Sequence, residues 1–172
     1  MNWKHILPIA LFVPALALAQ SKPSDPQIAG IVVAANQIDV DAGKLAKSRS
    51  QNKEVKDFAQ QMITDHTAVN KQAGALAKKL GVTPEDSDTT KSLKQGAVDN
   101  IANLKKQKGA QFDKAYVEHE VVYHQQVLDA IDKVLIPSAQ NAELKGLITK
   151  VRPAIAAHLE HAKHLQASLG KK

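Results

Sequence analysis

The clearest pattern in the chain is a stripe that runs from Val55 to Leu80. Val55, Ala59, Met62, His66, Val69, Ala73, Leu76 and Leu80 follow one another at steps of three and four. That is the spacing of one buried face on an α-helix. All are apolar except His66, near the middle. A polar group on a core face costs free energy unless something inside pairs with it. The stripe therefore predicts both a helix and a partner for His66.

Three more stripes of this kind follow the same rule. Ile28, Val32, Ala35, Asp39, Ala42 and Ala46 predict a first helix over 25–49, with Asp25 as N-cap and Pro26 at the first helical position. Asn52 is the expected cap of the second helix, which Gly81 ends. Val117, Val121, His124, Leu128, Ile131 and Leu135 share one face of a helix over 110–136. Leu144, Ile148, Val151, Ile155, His158, Ala162, Leu165 and Leu169 predict a last helix over 139–169. Pro153 lies inside it and is expected to kink it near Thr149 and Lys150. A weaker helix over 89–106 carries Leu93, Ala97, Ile101 and Leu104 on one side.

No alternating strand pattern and no fixed repeat occurs after the N-terminal segment. The expected fold is all-α, a ferritin-like four-helix bundle with an additional shorter helix between the second and third long helices. If the short helix is a crossover, those two long helices run parallel. The alternative is an up-down bundle in which the short helix and its successor form one kinked rod.

Residues 1–19 read as a signal peptide. Lys4 is the basic start, an apolar run follows, and Ala17-Leu18-Ala19 is the small-x-small cleavage pattern. Residues 20–24 read as a disordered leader and 25–170 as the bundle domain. The expected location is the periplasm or outside the cell. The chain has no cysteine, so packing and not disulfides must hold an exported form together. Removing residues 1–19 takes Lys4 with it and leaves 22 basic against 17 acidic side chains, a formal charge of +5. These charges are spread along the chain as solvated helix faces. Aromatics make up 3% of residues, which leaves no stacking platform for nucleic acid. No stable membrane insertion is expected, and the sequence does not specify a protein partner or an oligomeric state.

Each long helix carries one polar residue on its apolar face: Asp39, His66, His124 and His158. Glu120 lies about 40° from His124 on the helical wheel and Asp65 adjoins His66, so both can join the set. His119 falls about 140° away and is expected to be exposed. Imidazoles and carboxylates converging in a bundle are a usual way for such a fold to bind a transition metal, here zinc, copper, iron or manganese. The competing reading is a buried polar network that fixes helix register, for example Asp39 on one histidine N–H and Tyr116 on another. Tyr116 is expected to bury its ring and keep its hydroxyl paired. Along the helices, Asp39 and His66 are expected to be offset by about 7 Å, with a similar mismatch between His124 and His158.

Several runs resemble a known family. Asp39-Val40-Asp41-Ala42-Gly43-Lys44-Leu45-Ala46, Val55-Lys56-Asp57-Phe58-Ala59 and Met62-Ile63-Thr64-Asp65-His66 are similar to the bacterial "predicted outer membrane protein" family, domain of unknown function 4142. Phe112-Asp113-Lys114-Ala115-Tyr116-Val117, His124, Pro153 and His158-Leu159 match its second half. The resemblance spans nearly all of the chain after the signal peptide. It implies an exported, ferritin-like bundle and supplies no activity; Asp113 and Tyr116 are expected to be structural polar residues. The chain has Asp39 where the family usually has Glu. The Glu-x-x-His elements of di-iron proteins are missing: Met62 stands three before Asp65, Glu120 four before His124, and Ile155 three before His158.

The leading expectation is a non-enzymatic exported bundle that binds a transition metal or small ligand between His66, His124 and His158. Glu120, Asp39 and Asp65 would supply carboxylate. The alternatives are a metal-dependent redox enzyme at the same site, or an envelope-stress interaction module with a purely structural polar core.

Overall fold

The computed structural model describes residues 22–171, and the expected signal peptide lies outside them. The described chain is helical with no strand. Its helices are α1 (Asp25–Arg49), α2 (Lys53–Leu80), α3 (Asp88–Lys106) and α4 (Gly109–Ala130). A π-helical segment (Ile131–Leu135) continues α4 into the single turn α5 (Ile136–Ser138), and α6 (Ala142–Leu169) follows. No helix among these residues is long and apolar enough to cross a membrane.

The helix ends follow from local chemistry. Asn52 accepts from the Glu54 and Val55 amides, and Gly81 ends α2 at φ 64°, a left-handed position that glycine occupies without strain. At the start of α1 the cap is Ser24, not Asp25. Ser24 and Gln27 form a reciprocal capping box, which places Pro26 one position later than expected. Asp25 is used elsewhere. Its carboxylate oxygens accept the backbone N–H groups of Gln140 and Asn141 at 2.9 and 2.8 Å, tying the start of α1 to the α5–α6 connection.

That connection also moves the last helix. Residues 139–141 are not helical, and Asn141 caps α6 at Ala142, three residues after the expected start. The helix then runs unbroken through Pro153, whose ring is on the exposed side.

α1 packs along α2, and α4 along α6. The short α3 is the crossover. It starts beside the beginning of α1, where Glu85 N–H bonds Pro26 O at 2.9 Å, and ends where Arg49 donates to the carbonyls of Lys105 and Gln107. α3 therefore runs alongside α1, and α2 and α4 are parallel. The kinked-rod alternative does not describe this chain.

The apolar core falls into two clusters. One includes Ile28, Val32, Leu128, Leu135, Leu144 and Ile148, near the start of α1. The other includes Ala46, Val55, Phe58, Met62, Phe112 and Leu165, near its end. Between them, at mid-height, lie Asn36, Asp39, His66, Glu120, His124 and His158, all buried. The four polar exceptions in the stripes thus form one layer that divides the core.

Candidate metal centre

The helix connections bring the exceptions to one level. Asn36 lies 13 residues before the end of α1 at Arg49, and His66 lies 13 residues after the start of α2 at Lys53. These two residues are opposite each other, and Asp39 sits within a turn of them. On the other hairpin, His124 is 14 residues before Ser138 and His158 is 16 after Ala142. The late start of α6 removes most of the expected mismatch.

The three rings converge. The His66 ring centroid lies 5.7 Å from that of His124 and 5.2 Å from that of His158, and the latter two are 5.5 Å apart. One ring nitrogen from each falls within 4.8 Å of one from each of the others. Three nitrogens bound to one ion at about 2.0–2.1 Å lie about 3.3–3.6 Å apart. Closing that gap takes less than about 1 Å of ring movement.

Each histidine has one nitrogen committed outward. His66 Nδ1 is 2.7 Å from Asn36 Oδ1. The Asn36 amide nitrogen donates to Val32 O at 2.7 Å, so Oδ1 is the acceptor and His66 Nδ1 carries the proton. His124 Nδ1 is 2.9 Å from the carbonyl of Glu120, an acceptor only. His158 Nε2 is 2.9 Å from Asp65 Oδ2. The remaining nitrogens, His66 Nε2, His124 Nε2 and His158 Nδ1, are buried and make no hydrogen bond within the protein.

Burial sets the protonation of these groups. It lowers His66 to about 3, with the neighbouring His124 and His158 adding to the effect. It lowers His124 to about 4 and also lowers His158, where the Asp65 hydrogen bond opposes it. All three rings are thus neutral near pH 7, with one lone pair each. Asp39 and Glu120 are pushed the other way. Burial raises Asp39 well above the usual carboxylate range, helped by the Glu120 charge, and raises Glu120 to about 8. Two carboxyl groups buried side by side are stable when they hold a proton between them. Asp39 Oδ2 lies 3.5 Å from His66 Nε2, and Asp39, Glu120 and His124 also offer ligand atoms within 4.8 Å of one another.

Other expected residues take different positions. Asp65 is 43% exposed at its side chain and contacts the outer nitrogen of His158, so it orients that ring from outside the cluster. Tyr116 buries its ring, but its hydroxyl and Asp113 Oδ1 have no hydrogen-bond partner, against the expectation of a paired hydroxyl. Burial, with the charges of Glu120 and Asp39, raises the Tyr116 hydroxyl well above its ordinary value. His119 is half-buried and stacks on Tyr123 at 5.6 Å, because α3 covers the flank that a four-helix wheel leaves open. His161 is exposed and bonds Gln61, outside the cluster.

Two participants were not expected. Asn36 stands three residues before Asp39, and that i−3 spacing is the signal that puts it near the same face. Tyr123 donates to Ala35 O at 3.1 Å, and no pattern in the sequence marks it.

Among curated proteins and among solved structures, nothing matches this chain. A family model described as a domain of unknown function matches residues 13–165. The chain is therefore a member of the DUF4142 family.

Proposed function

We propose that this protein is an exported, non-enzymatic bundle that holds one transition-metal ion between His66, His124 and His158. Asp39 or Glu120 completes the coordination. The observation that carries this reading is the convergence of three buried imidazoles, one nitrogen of each within 4.8 Å of one of each of the others. Each gives its only N–H to an acceptor and keeps a buried nitrogen without a hydrogen bond. Three lone pairs with no proton among them repel one another, and a cation is what satisfies all three. Outer acceptors on ligating histidines are the common supporting shell of metal sites.

The register-fixing network fits less well. Such a network stabilises a core when its members are paired, and a partly paired one is costly. Here the Tyr116 hydroxyl lacks a partner as well, and Asp39 and Glu120 have chiefly each other. Neutral imidazoles with carboxylate suit zinc, copper, iron or manganese. The crossover and the parallel α2 and α4 agree with the ferritin-like arrangement expected, while the absence of Glu-x-x-His spacing argues against a di-iron centre. Export rests on the character of residues 1–19.

Metal analysis and zinc titration of the mature protein test the reading, with His66→Ala/His124→Ala as control. One ion per chain, lost in the double variant, is the expected result. No uptake of zinc, copper, iron or manganese at any pH, with the variant merely less stable, would leave only the structural network.

A further inference from the structure

A cavity of about 110 Å³ borders the histidine layer between α1, the α4–π segment and α6. Ala35, Val127, Ile131, Leu135, Ile148 and Ile155 form its body. Asn36, Asp39 and His66, all buried, close its inner side, and the exposed Thr89 and Gln126 mark its outer side.

Its chemistry selects against charge. No lysine or arginine is among the lining residues. The amide of Asn36 is used on Val32 and His66, and the Tyr123 hydroxyl is used on Ala35 O. On the inner side the polar groups left are the Asp39 carboxyl, beside Glu120, and His66 Nε2, on side chains that are 3% and 2% exposed. An anion would meet Asp39, and any ion would exchange its hydration for methyl groups. An uncharged apolar molecule gains by the same transfer. Apolar voids of about 150 Å³ stay dry and take up benzene or xenon, so this one admits nothing much larger than a benzene ring.

The wall itself is unusual. Ile131 and Leu135 come from the π-helical segment, a rare backbone form that concentrates at functional sites. Arg152 clamps that segment to α6 through two 2.6 Å bonds to Asp132. The widened turn is thus held in place along the cavity.

We propose that the cavity is a binding site for a small, uncharged, apolar molecule seated against His66 and Asp39. That the molecule lies beside a bound ion rests on the metal reading above; occupation of the cavity does not.

Methyl NMR of the mature protein, metal-free and zinc-loaded, tests this with benzene and xenon as probes. Saturable shifts centred on the Ile131, Ile148 and Ile155 methyls are expected in both forms. Ala35→Leu and Val151→Phe each place carbon in the cavity, and each is expected to weaken benzene binding at least ten-fold with zinc stoichiometry retained. Two positions keep the comparison usable should one variant not fold. Absence of saturable shifts at those methyls, or shifts unchanged in the filled variants, would overturn the proposal. Benzene binding at these methyls in a protein that takes up no zinc would support the cavity and overturn the metal reading alone.

Discussion

Asn36 and His66 face each other at the same height of the α1–α2 hairpin, with Asn36 Oδ1 2.7 Å from His66 Nδ1. The bond assigns the imidazole proton to Nδ1 and leaves Nε2 without a hydrogen bond, 3.5 Å from Asp39 Oδ2. Asn36→Ala removes the acceptor and frees the ring to flip. Loss of such a supporting contact commonly lowers metal affinity about 10- to 100-fold. Asn36→Asp keeps an acceptor in place and is expected to restore most of it. Zinc competition against a chromophoric chelator separates the two variants. Equal affinity in wild type and Asn36→Ala would remove Asn36 from the site.

The opposed shifts in the layer make stability depend on pH in two directions. His66 and His124 ionise at about 3 and about 4 when folded, against 6.5 ordinarily. Below pH 6.5 the unfolded chain holds protons that the folded one refuses, so these residues weaken the fold as pH falls toward 4. The slope is about 1.4 kcal/mol per pH unit for each proton. Glu120, at about 8 when folded against 4.5 ordinarily, does the reverse. Its contribution is complete below 4.5 and is lost as pH rises through 8. Asp39 is raised too, but three lowered histidines outnumber two raised acids on the acid side.

The metal-free protein is therefore expected to be most stable near pH 6.5. Glu120→Gln removes the Glu120 share of the alkaline decline, worth about 2 kcal/mol between pH 6.5 and 8.5, and keeps the acid one. Urea unfolding at about pH 5, 6.5 and 8.5 gives the comparison. An alkaline decline as steep in Glu120→Gln as in the wild type would assign it to other groups.

Much of the architecture is legible in the pattern of apolar residues, because long helices bury most of one face. The stripe from Val55 to Leu80 is buried or half-buried throughout, and its polar exception, His66, meets the three exceptions of the other helices, Asp39, His124 and His158, at one level. What the pattern misses is set by contacts between distant segments. From the first turn of α1 the Asp25 side chain holds the amides before α6, where that helix starts late and His158 comes level with His124. The π turn keeps Ile131 and Leu135 buried, so periodicity does not betray it. His119 is half-buried by a crossover helix that no helical wheel of α4 contains.

Two glycines give a test of close packing. A Cβ on Gly30 would stand 2.0 Å from the Glu85 carbonyl oxygen, whereas one on Gly74 meets nothing within 4 Å. Both lie inside helices. Gly30→Ala must push the 82–87 connection off α1, and overpacking of this kind costs about 1–3 kcal/mol. Gly74→Ala gains helix propensity without a clash and is expected to stabilise by about 0.5–1 kcal/mol. Thermal unfolding of the two variants should move in opposite directions. A rise in Tm for Gly30→Ala would show that the connection is not seated there.

The Asp25 clamp gives a local effect as well as a global one. Its two oxygens take the Gln140 and Asn141 amides, which no helical carbonyl satisfies. Hydrogen bonds to a charged group contribute about 1.5–3 kcal/mol, and part-exposure puts this clamp at the lower end. Asp25→Ala should therefore destabilise the fold by about 1–2 kcal/mol. Amide exchange at Gln140 and Asn141 should accelerate more than at the centre of α6. Because the clamp sets where α6 begins, its loss should also reach the metal layer. Zinc affinity should fall with His158 even though Asp25 lies near the end of the bundle. Asp25→Asn keeps one acceptor and should fall between the two. If Asp25→Ala lowers Tm but leaves zinc affinity at the wild-type value, the register of α6 is held by its own packing against α4 instead.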